Sequence, residues 1–225
     1  IMELDDPLLG MTSLAGLPIN LSQTPGNVRG PRASSAAQAA DWLSENSDLV
    51  KNQAVSAGDN QDELPLHDVK ILEVANVIAG PIAGRLLADL GANIVKLESL
   101  YGDISRPAGA GGFVFYNANK RSISVNTRTE QGREIAQRIA AESDVLLANM
   151  RPGATDRMGL SSEKLAEINP NLIETHVTAY GWTGPYAHRP GVDPLAQAIT
   201  GLQRAQGGNG LPPMFLGRLA PCDYT

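Results

Sequence analysis

Few residues of this chain carry side chains that could do chemistry on their own. There are three histidines, His67, His176 and His188, and one cysteine, Cys222. No histidine has a carboxylate or nucleophile at a spacing that reads as a catalytic pair, so each is read as a surface or partly buried residue rather than a base. Scattered histidines and a single cysteine do not make a zinc site, and no metal is expected. Gly109-Ala110-Gly111-Gly112 is glycine-rich, but no clear strand precedes it and no helix N-terminus follows, so it is read as a flexible loop rather than a phosphate cradle. The sequence contains no Walker A motif, HExxH or GxSxG elbow. By residue type alone, Asp223 is a turn or helix-cap aspartate, the commonest use of a lone aspartate near cysteine and proline.

The elements that would position such residues are clearer. Residues 69–75 (VKILEVA) read as a buried strand. A helix follows with Pro81 at its first position and Gly91 as its stop, and residues 93–98 (NIVKLE) read as a second strand. This is a βαβ unit, which implies parallel pairing and a right-handed crossover. Further strands are expected at 122–126, 144–149 and 172–179. Helices are expected at 130–141, 162–168 and 194–205, the last capped by Asp193. The alternation predicts an α/β domain with a mostly parallel sheet flanked by helices. In such sheets ligands bind beyond the carboxyl ends of the strands, which selects residues 76–79, 99–103, 127–128, 149–151 and 180–184.

Composition narrows the function class. Of 225 residues, 18 are basic and 24 acidic, a net charge of −6, which counts against nucleic-acid binding. No apolar run approaches the ~20 residues of a membrane span, because Glu73, Arg85 and Asp89 interrupt the most apolar region. One cysteine fits a reducing compartment, and a cytoplasmic location is expected. Residues 1–64 show little periodicity apart from a short helical run at 34–43. Residues 46–63 have linker composition, which places a boundary near residue 63.

Four segments, IAGPIAGRLLADLGANIVKLE, NANKRSISVN, NMRPGATDRMGL and AYGWTGPYAHRPGVDPLAQAITG, together resemble the class III coenzyme A transferase (CaiB/BaiF) family, the group of formyl-CoA and carnitine-CoA transferases and α-methylacyl-CoA racemase. They occur in the family's order and spacing over residues 65–225. The resemblance implies the N-terminal part (64–225) of a Rossmann-like large domain, two of which interlock as a homodimer or a fused tandem pseudo-dimer. It implies acyl-CoA and a small carboxylate as substrates, with no tightly bound cofactor. The family's catalytic aspartate lies beyond a Pro-Pro and a short apolar run; here Pro212-Pro213-MFLGRLAPC leads to Asp223. The family's CoA-contacting positions match Ile78 and Ala79, then Val125, Asn126, Thr127 and Arg128, then Asn149, Met150 and Arg151, and finally Arg157. Arginines and backbone amides suit the phosphates of CoA. The family's basic residue after the KLE strand is Ser99 here. The histidine that serves racemase members as an α-proton base is Val192, so transfer is favoured over epimerisation. A noncatalytic CoA-binding domain is a further alternative, separable by CoA affinity without turnover.

Residues 16–43, GLPINLSQTPGNVRGPRASSAAQAADWL, resemble the closing stretch of a class III domain. Residues 1–45 are therefore read as the tail of a preceding transferase domain or as an N-terminal extension, and 46–63 as a linker. Within the family, a fused two-domain architecture is a feature of members acting on dimethylsulfoniopropionate, which implies that compound as acceptor, with release of dimethyl sulfide.

Overall fold

The computed structural model of the chain describes residues 2–6, 9–14, 21–26, 64–107, 110–217 and 220–224. The helical run at 34–43 and the linker at 46–63 lie outside the described residues. The chain divides into two units, Ile1–Gln61 and Asp62–Thr225. In the first, β1 (Met2–Asp6) pairs antiparallel with β2 (Gly10–Leu14), Met2 opposite Leu14. Asp6 accepts from the backbone N–H of Leu9, and Gly10 takes the left-handed φ of 69° that the turn requires. The sequence reading did not anticipate this hairpin, because five-residue strands give too few alternations to register.

The second unit is a five-stranded parallel sheet. Its strands are β3 (Lys70–Val74), β4 (Asn93–Glu98), β5 (Arg121–Ser124), β6 (Val145–Ala148) and β7 (Ile173–His176). The order β5-β4-β3-β6-β7 runs outward from β3 on one side, then crosses back to β6 on the other. The carboxyl ends of β3 and β6 therefore flank the switch point where such sheets open a crevice.

Helices cover both faces. The helix α1 (Ala79–Asp89) follows β3, α2 (Ala110–Asn117) precedes β5, and α3 (Glu130–Ala141) follows it. Then come α4 (Ala154–Arg157), α5 (Ser162–Ile168), α6 (Asp193–Ile199) and α7 (Leu202–Gly207). On one face Leu72, Val74, Leu97, Leu146 and Ala148 pack with Ala136 and Ala140 of α3 and Leu165 of α5. On the other, Ile71, Ile94 and Leu147 pack with Ala88 of α1. Full burial of such a Leu or Ile contributes about 1.5–3 kcal/mol. The buried stripe of α3 is Gly132, Ala136 and Ala140, small residues at i,i+4 that bring the helix close. A Cβ on Gly132 would lie 2.0 Å from the Asn126 carbonyl oxygen. Thr129 caps this helix by accepting from Gly132 N–H at 3.1 Å, and Ser161 caps α5 the same way.

Three expectations are corrected. The glycine-rich stretch is not a loop: α2 begins at Ala110, because Phe113 and Phe115 gain partners that outweigh the poor propensity of glycine. Arg106 lies over the Phe113 ring at 4.0 Å and Arg85 over Phe115 at 4.5 Å; Gly109 lies outside the described residues. Pro81 is the third residue of α1, still within the turn where no N–H is needed. The expected helix 194–205 is two helices, broken at Gly201 with φ 80°. Asp193 is the first helical residue rather than the cap, and Val192 holds the cap position.

Candidate active site

The turn after β3 is held from beneath by buried charge. Glu73, Lys96 and Asp103 are 0%, 1% and 0% exposed. The parallel register sets Glu73 opposite Lys96 on adjacent strands. Lys96 Nζ lies 3.1 Å from Glu73 Oε1 and 3.0 Å from Asp103 Oδ2, and donates to the Ala75 carbonyl. Lys120, whose side chain is 2% exposed, meets Glu73 Oε2 at 2.7 Å and donates to the Pro81 carbonyl at 2.7 Å. Burial pulls the Lys120 amine below its ordinary value, against the opposing pull of Glu73. Gly84 leaves room for this pair, since a Cβ there would stand 2.0 Å from Glu73 Oε2. Two buried cations against two buried carboxylates close the charge balance that a dry site demands.

Asp103 carries the effect to the turn. Its two oxygens accept from Val77 N–H at 3.3 Å each, and Oδ1 also accepts from Ser105 N–H and Oγ. Burial works to raise the Asp103 pKa, but the Ser105 donors and Lys96 outweigh it and hold the carboxyl below the usual range. Val77 needs the support: its φ of 70° is left-handed and costly for a β-branched residue. Glu98 accepts from Asp103 N–H at 2.8 Å and takes Arg106 through both oxygens. Burial raises its pKa, yet Arg106 and the Asp103 amide leave it below the ordinary value.

The sequence-selected residues divide accordingly. Ile78 and Ala79 lie half-buried on the turn that Asp103 secures, at the carboxyl end of β3. Asn149, at the end of β6, spends its amide on the backbone of Asn76: Oδ1 accepts from Asn76 N–H at 2.9 Å and Nδ2 donates to Asn76 O at 2.7 Å. It stitches the two strand ends at the switch point. Met150 packs against the core. Arg151 is exposed and reaches the His188 carbonyl at 3.5 Å, and Arg157 is exposed and donates to Gly153 O at 2.7 Å. Beyond β5, Val125 is buried, with its N–H donating to Glu98 O. Asn126 and Arg128 are exposed and Thr127 half-buried, with Asn126 Oδ1 accepting from Arg128 N–H. These stretches share the carboxyl edge of the sheet, with 125–128 two strands from 76–79. Ser99 is exposed, and its hydroxyl serves its own turn by donating to Gly102 O.

Asp223 sits half-buried on the turn 221–223, its N–H donating to Ala220 O at 2.9 Å. The preceding N–H, of Cys222, donates to Asp193 Oδ1 at 2.8 Å, and Asp193 is 5% exposed. The following residue, Tyr224, shares a 2.6 Å hydroxyl contact with Tyr116 of α2. Burial first, and the charge of Asp193 second, push the Asp223 carboxyl above its usual value. The Tyr224 contact, with burial and the charge of Asp223 behind it, pushes Tyr116 up to about 12. Sequence reasoning missed Asp193 and the ion cluster. The available signals were the i,i+4 spacing of Asp193 and Gln197, and charges of opposite sign, Glu73 and Lys96, in the interiors of two adjacent buried strands.

Two histidines have carboxylate neighbours after all. His67 lies 2.9 Å from Asp68 and His176 lies 3.5 Å from Glu174. A strand places residues i and i+2 on one face, which a search for catalytic spacing overlooks. A cavity of about 610 Å³ opens at the opposite end of the sheet, beside Lys70, Asn93 and Arg121 at the strand starts and Ile135 and Ile139 of α3. None of the sequence-selected residues lines it.

Residues 66–225 match the family model for CoA-transferase family III. The formyl-CoA:oxalate CoA-transferase of Streptomyces coelicolor is 38% identical over 159 residues, covering 68% of this chain and 38% of that protein. The succinyl-CoA–L-malate CoA-transferase alpha subunit of Chloroflexus aurantiacus is 34% identical over 176 residues, covering 74% of this chain and 41% of that protein. Among solved structures, a CaiB/BaiF family protein from Brucella suis superposes with a TM-score of 0.67 at 39% identity, covering 72% of this chain and 45% of the other. The chain thus spans less than half the length of the curated relatives it matches. With the parallel sheet and the match over most of its length, the chain belongs to CoA-transferase family III.

Proposed function

We propose that this chain works as a CoA transferase, moving CoA from an acyl-CoA donor to a small carboxylate through Asp223. The ionised Asp223 attacks the thioester carbonyl, the C–S bond breaks, and CoA leaves as thiolate, giving an aspartyl anhydride. The thiolate then attacks the aspartyl carbonyl and expels the donor carboxylate, leaving an aspartyl-CoA thioester. The acceptor carboxylate repeats the sequence in reverse: it displaces the thiolate to form a second anhydride, whose acceptor carbonyl the thiolate attacks to release acyl-CoA and free Asp223. The turn at Ile78 and Ala79, the stretch Val125 to Arg128, and Asn149, Met150, Arg151 and Arg157 are assigned to CoA. The observation that carries the reading is the setting of Asp223. It lies within the family match, tied through Cys222 to a buried carboxylate, with its own carboxyl made more basic and so more nucleophilic. The relatives' names pair different acyl donors with different small acids, which supports CoA transfer as the shared step.

In its narrowest form the acceptor is dimethylsulfoniopropionate. The thioester acidifies the α-proton, a base removes it, the β-carbon–sulfur bond breaks, and dimethyl sulfide leaves with the bonding pair, giving an unsaturated thioester. What supports this is the likeness of residues 16–43 to the end of a preceding domain, which places two domains in tandem, likewise a proposal; all but residues 21–26 of that stretch lie outside the described residues. Racemisation finds no base at Val192, which is exposed and aliphatic.

Incubation with acetyl-CoA, trapping with hydroxylamine and mass spectrometry of the Asp223 peptide test the central claim. A hydroxamate on Asp223, absent from Asp223→Ala together with CoA exchange, is the expected result. An unmodified peptide with CoA bound refutes the assignment.

A further inference from the structure

The side chains of Asp193 and Gln197 are 5% and 0% exposed, one turn apart on α6. They hydrogen-bond to each other, Gln197 Nε2 donating to Asp193 Oδ2. Their remaining oxygens are spent on one segment of chain. Gln197 Oε1 accepts from Leu216 N–H at 3.1 Å, and Asp193 Oδ1 accepts from Cys222 N–H at 2.8 Å. The two amides lie at either end of the stretch of chain that leads to Asp223. We propose that Asp193 and Gln197 are positioning residues: a buried two-point clamp that fixes both ends of the 216–222 segment and so aims Asp223. This rests on the reading of Asp223 as the nucleophile.

The arrangement is directional. The Gln197 amide can give its N–H₂ to Asp193 and its oxygen to Leu216 only while Asp193 is a pure acceptor. An asparagine at 193 that kept its oxygen on Cys222 N–H would turn its own N–H₂ toward that of Gln197, and two donors would face each other. Exchanging the roles repairs this. With Asp193→Asn and Gln197→Glu together, the new amide still accepts from Cys222 and donates to the new carboxylate, whose other oxygen accepts from Leu216. Every hydrogen bond is kept and only the charge moves.

Charge supplies an independent readout. The titratable groups facing Asp223 are Asp193 from α6, Tyr116 from α2, and Cys222 and Tyr224 from its own turn. Moving the negative charge one helical turn away relieves the repulsion on Asp223. Its carboxyl then ionises at lower pH, and the acid limb of kcat/KM shifts down. Cys222, whose thiol is raised by burial and by Asp193, lies on the turn itself, so its alkylation, read by mass spectrometry on the Cys222 peptide, reports on the turn without turnover.

The experiment compares wild type, Asp193→Asn, the double exchange and Asp223→Ala in the full-length protein. It measures kcat and KM for acetyl-CoA, the pH profile, and the rate of Cys222 alkylation by iodoacetamide. Asp193→Asn is expected to lower kcat about 10–100-fold with KM little changed, as a displaced reacting group does. Alkylation should speed up severalfold, and the double exchange should recover kcat to within about threefold. Unchanged kcat and alkylation in Asp193→Asn overturn the clamp, as does a double exchange that melts like wild type yet stays as impaired as the single variant. If Asp223→Ala still transfers CoA, the nucleophile assignment falls and the catalytic role of the clamp with it. The alkylation rates then still decide whether the clamp exists: both variants take the Asp193 charge from beside Cys222, so faster alkylation in the single variant than in the double exchange reports the loosened turn.

Discussion

Lys96→Met removes the ammonium that joins two buried carboxylates while keeping the length of the stem. In the native cluster two cations balance two carboxylates. Lys120 is committed to Glu73, to Pro81 O and to Asn117, so the variant leaves Asp103 without a cation. It also leaves Ala75 O without the Lys96 donor. Breaking one partner of a buried pair costs about 3–5 kcal/mol, because the other charge stays dry and unpaired. Asp103 keeps the N–H groups of Val77 and Ser105, which places the expectation at the lower end of that range. The loss depends on pH with a definite sign. In wild type Asp103 is depressed, with Lys96 one of the causes, so its stabilisation is present above the ordinary carboxylate range and fades as pH falls through its folded value. In the variant that cause is gone and Asp103 takes up its proton at higher pH. Urea denaturation should therefore give a destabilisation of about 3 kcal/mol at pH 7.5 that shrinks at pH 4.5. Adding Asp103→Asn removes the stranded charge and should recover part of the loss. A loss below about 1 kcal/mol at pH 7.5, or a double variant as unstable as the sum of the singles, would refute the charge-balance reasoning.

Other outcomes follow from the same geometry. Gly84→Ala drives a methyl against Glu73 Oε2 and should cost at least about 1–3 kcal/mol in thermal or urea melts, with no surface substitution on α1 comparable. Asn149→Ala strands the N–H and carbonyl of Asn76 and should cost about 1–3 kcal/mol; hydrogen exchange should show the Asn76 amide losing protection ahead of the β3 interior. Arg106→Met should lift the Glu98 pKa toward its ordinary value, since Arg106 is the main lowering cause. The stability that Glu98 supplies at neutral pH should then fade at a higher pH on acidification, read as an earlier acid transition. Asp223→Asn should raise the melting temperature at pH 7 and lose that advantage in acid. A carboxyl whose folded pKa is raised stabilises the fold below its ordinary value and loses that contribution as pH rises through the folded value.

The sheet was legible because its strands are short apolar runs bounded by turn residues, and the helices between them carry caps and stops. What pattern alone could not reach were side chains whose partners are distant in sequence. Glu73 and Lys96 each read as a polar position inside a largely apolar strand, and only the register of β3 on β4 makes them a pair. Asp193 before Pro194 fits a cap by every local rule, yet its partner Cys222 lies 29 residues on, and tertiary contact decides. Helix α2 was hidden by its glycines, since the stabilising groups, Arg85 and Arg106, come from outside the segment. The candidate site residues were selected from strand ends and family resemblance. Their division into presenting and supporting residues required the hydrogen bonds.

That division sorts the basic residues near the proposed CoA site. A chain of net charge −6 attracts a polyphosphate only where local positive charge is left over. Lys96 in β4 and Lys120, just before β5, both reach toward the β3 turn, but their ammonium groups are buried and neutralised by Glu73 and Asp103. Arg106 is held by Glu98, and Arg85 by Asp89 and the Phe115 carbonyl. Among the described residues, Arg128, Arg151 and Arg157 have no carboxylate partner, and all three are exposed. On the proposed assignment, the lysines shape the turn at the CoA site and the arginines meet the charge of the ligand. Substitution at the two groups should then fail differently. Loss of Arg128 or Arg157 should raise KM for acyl-CoA in a salt-dependent way and leave the melting temperature alone. Loss of Lys96 should lower the melting temperature first and affect binding only through the Val77 turn. A salt-independent KM in the arginine variants would mean that the phosphates are met elsewhere.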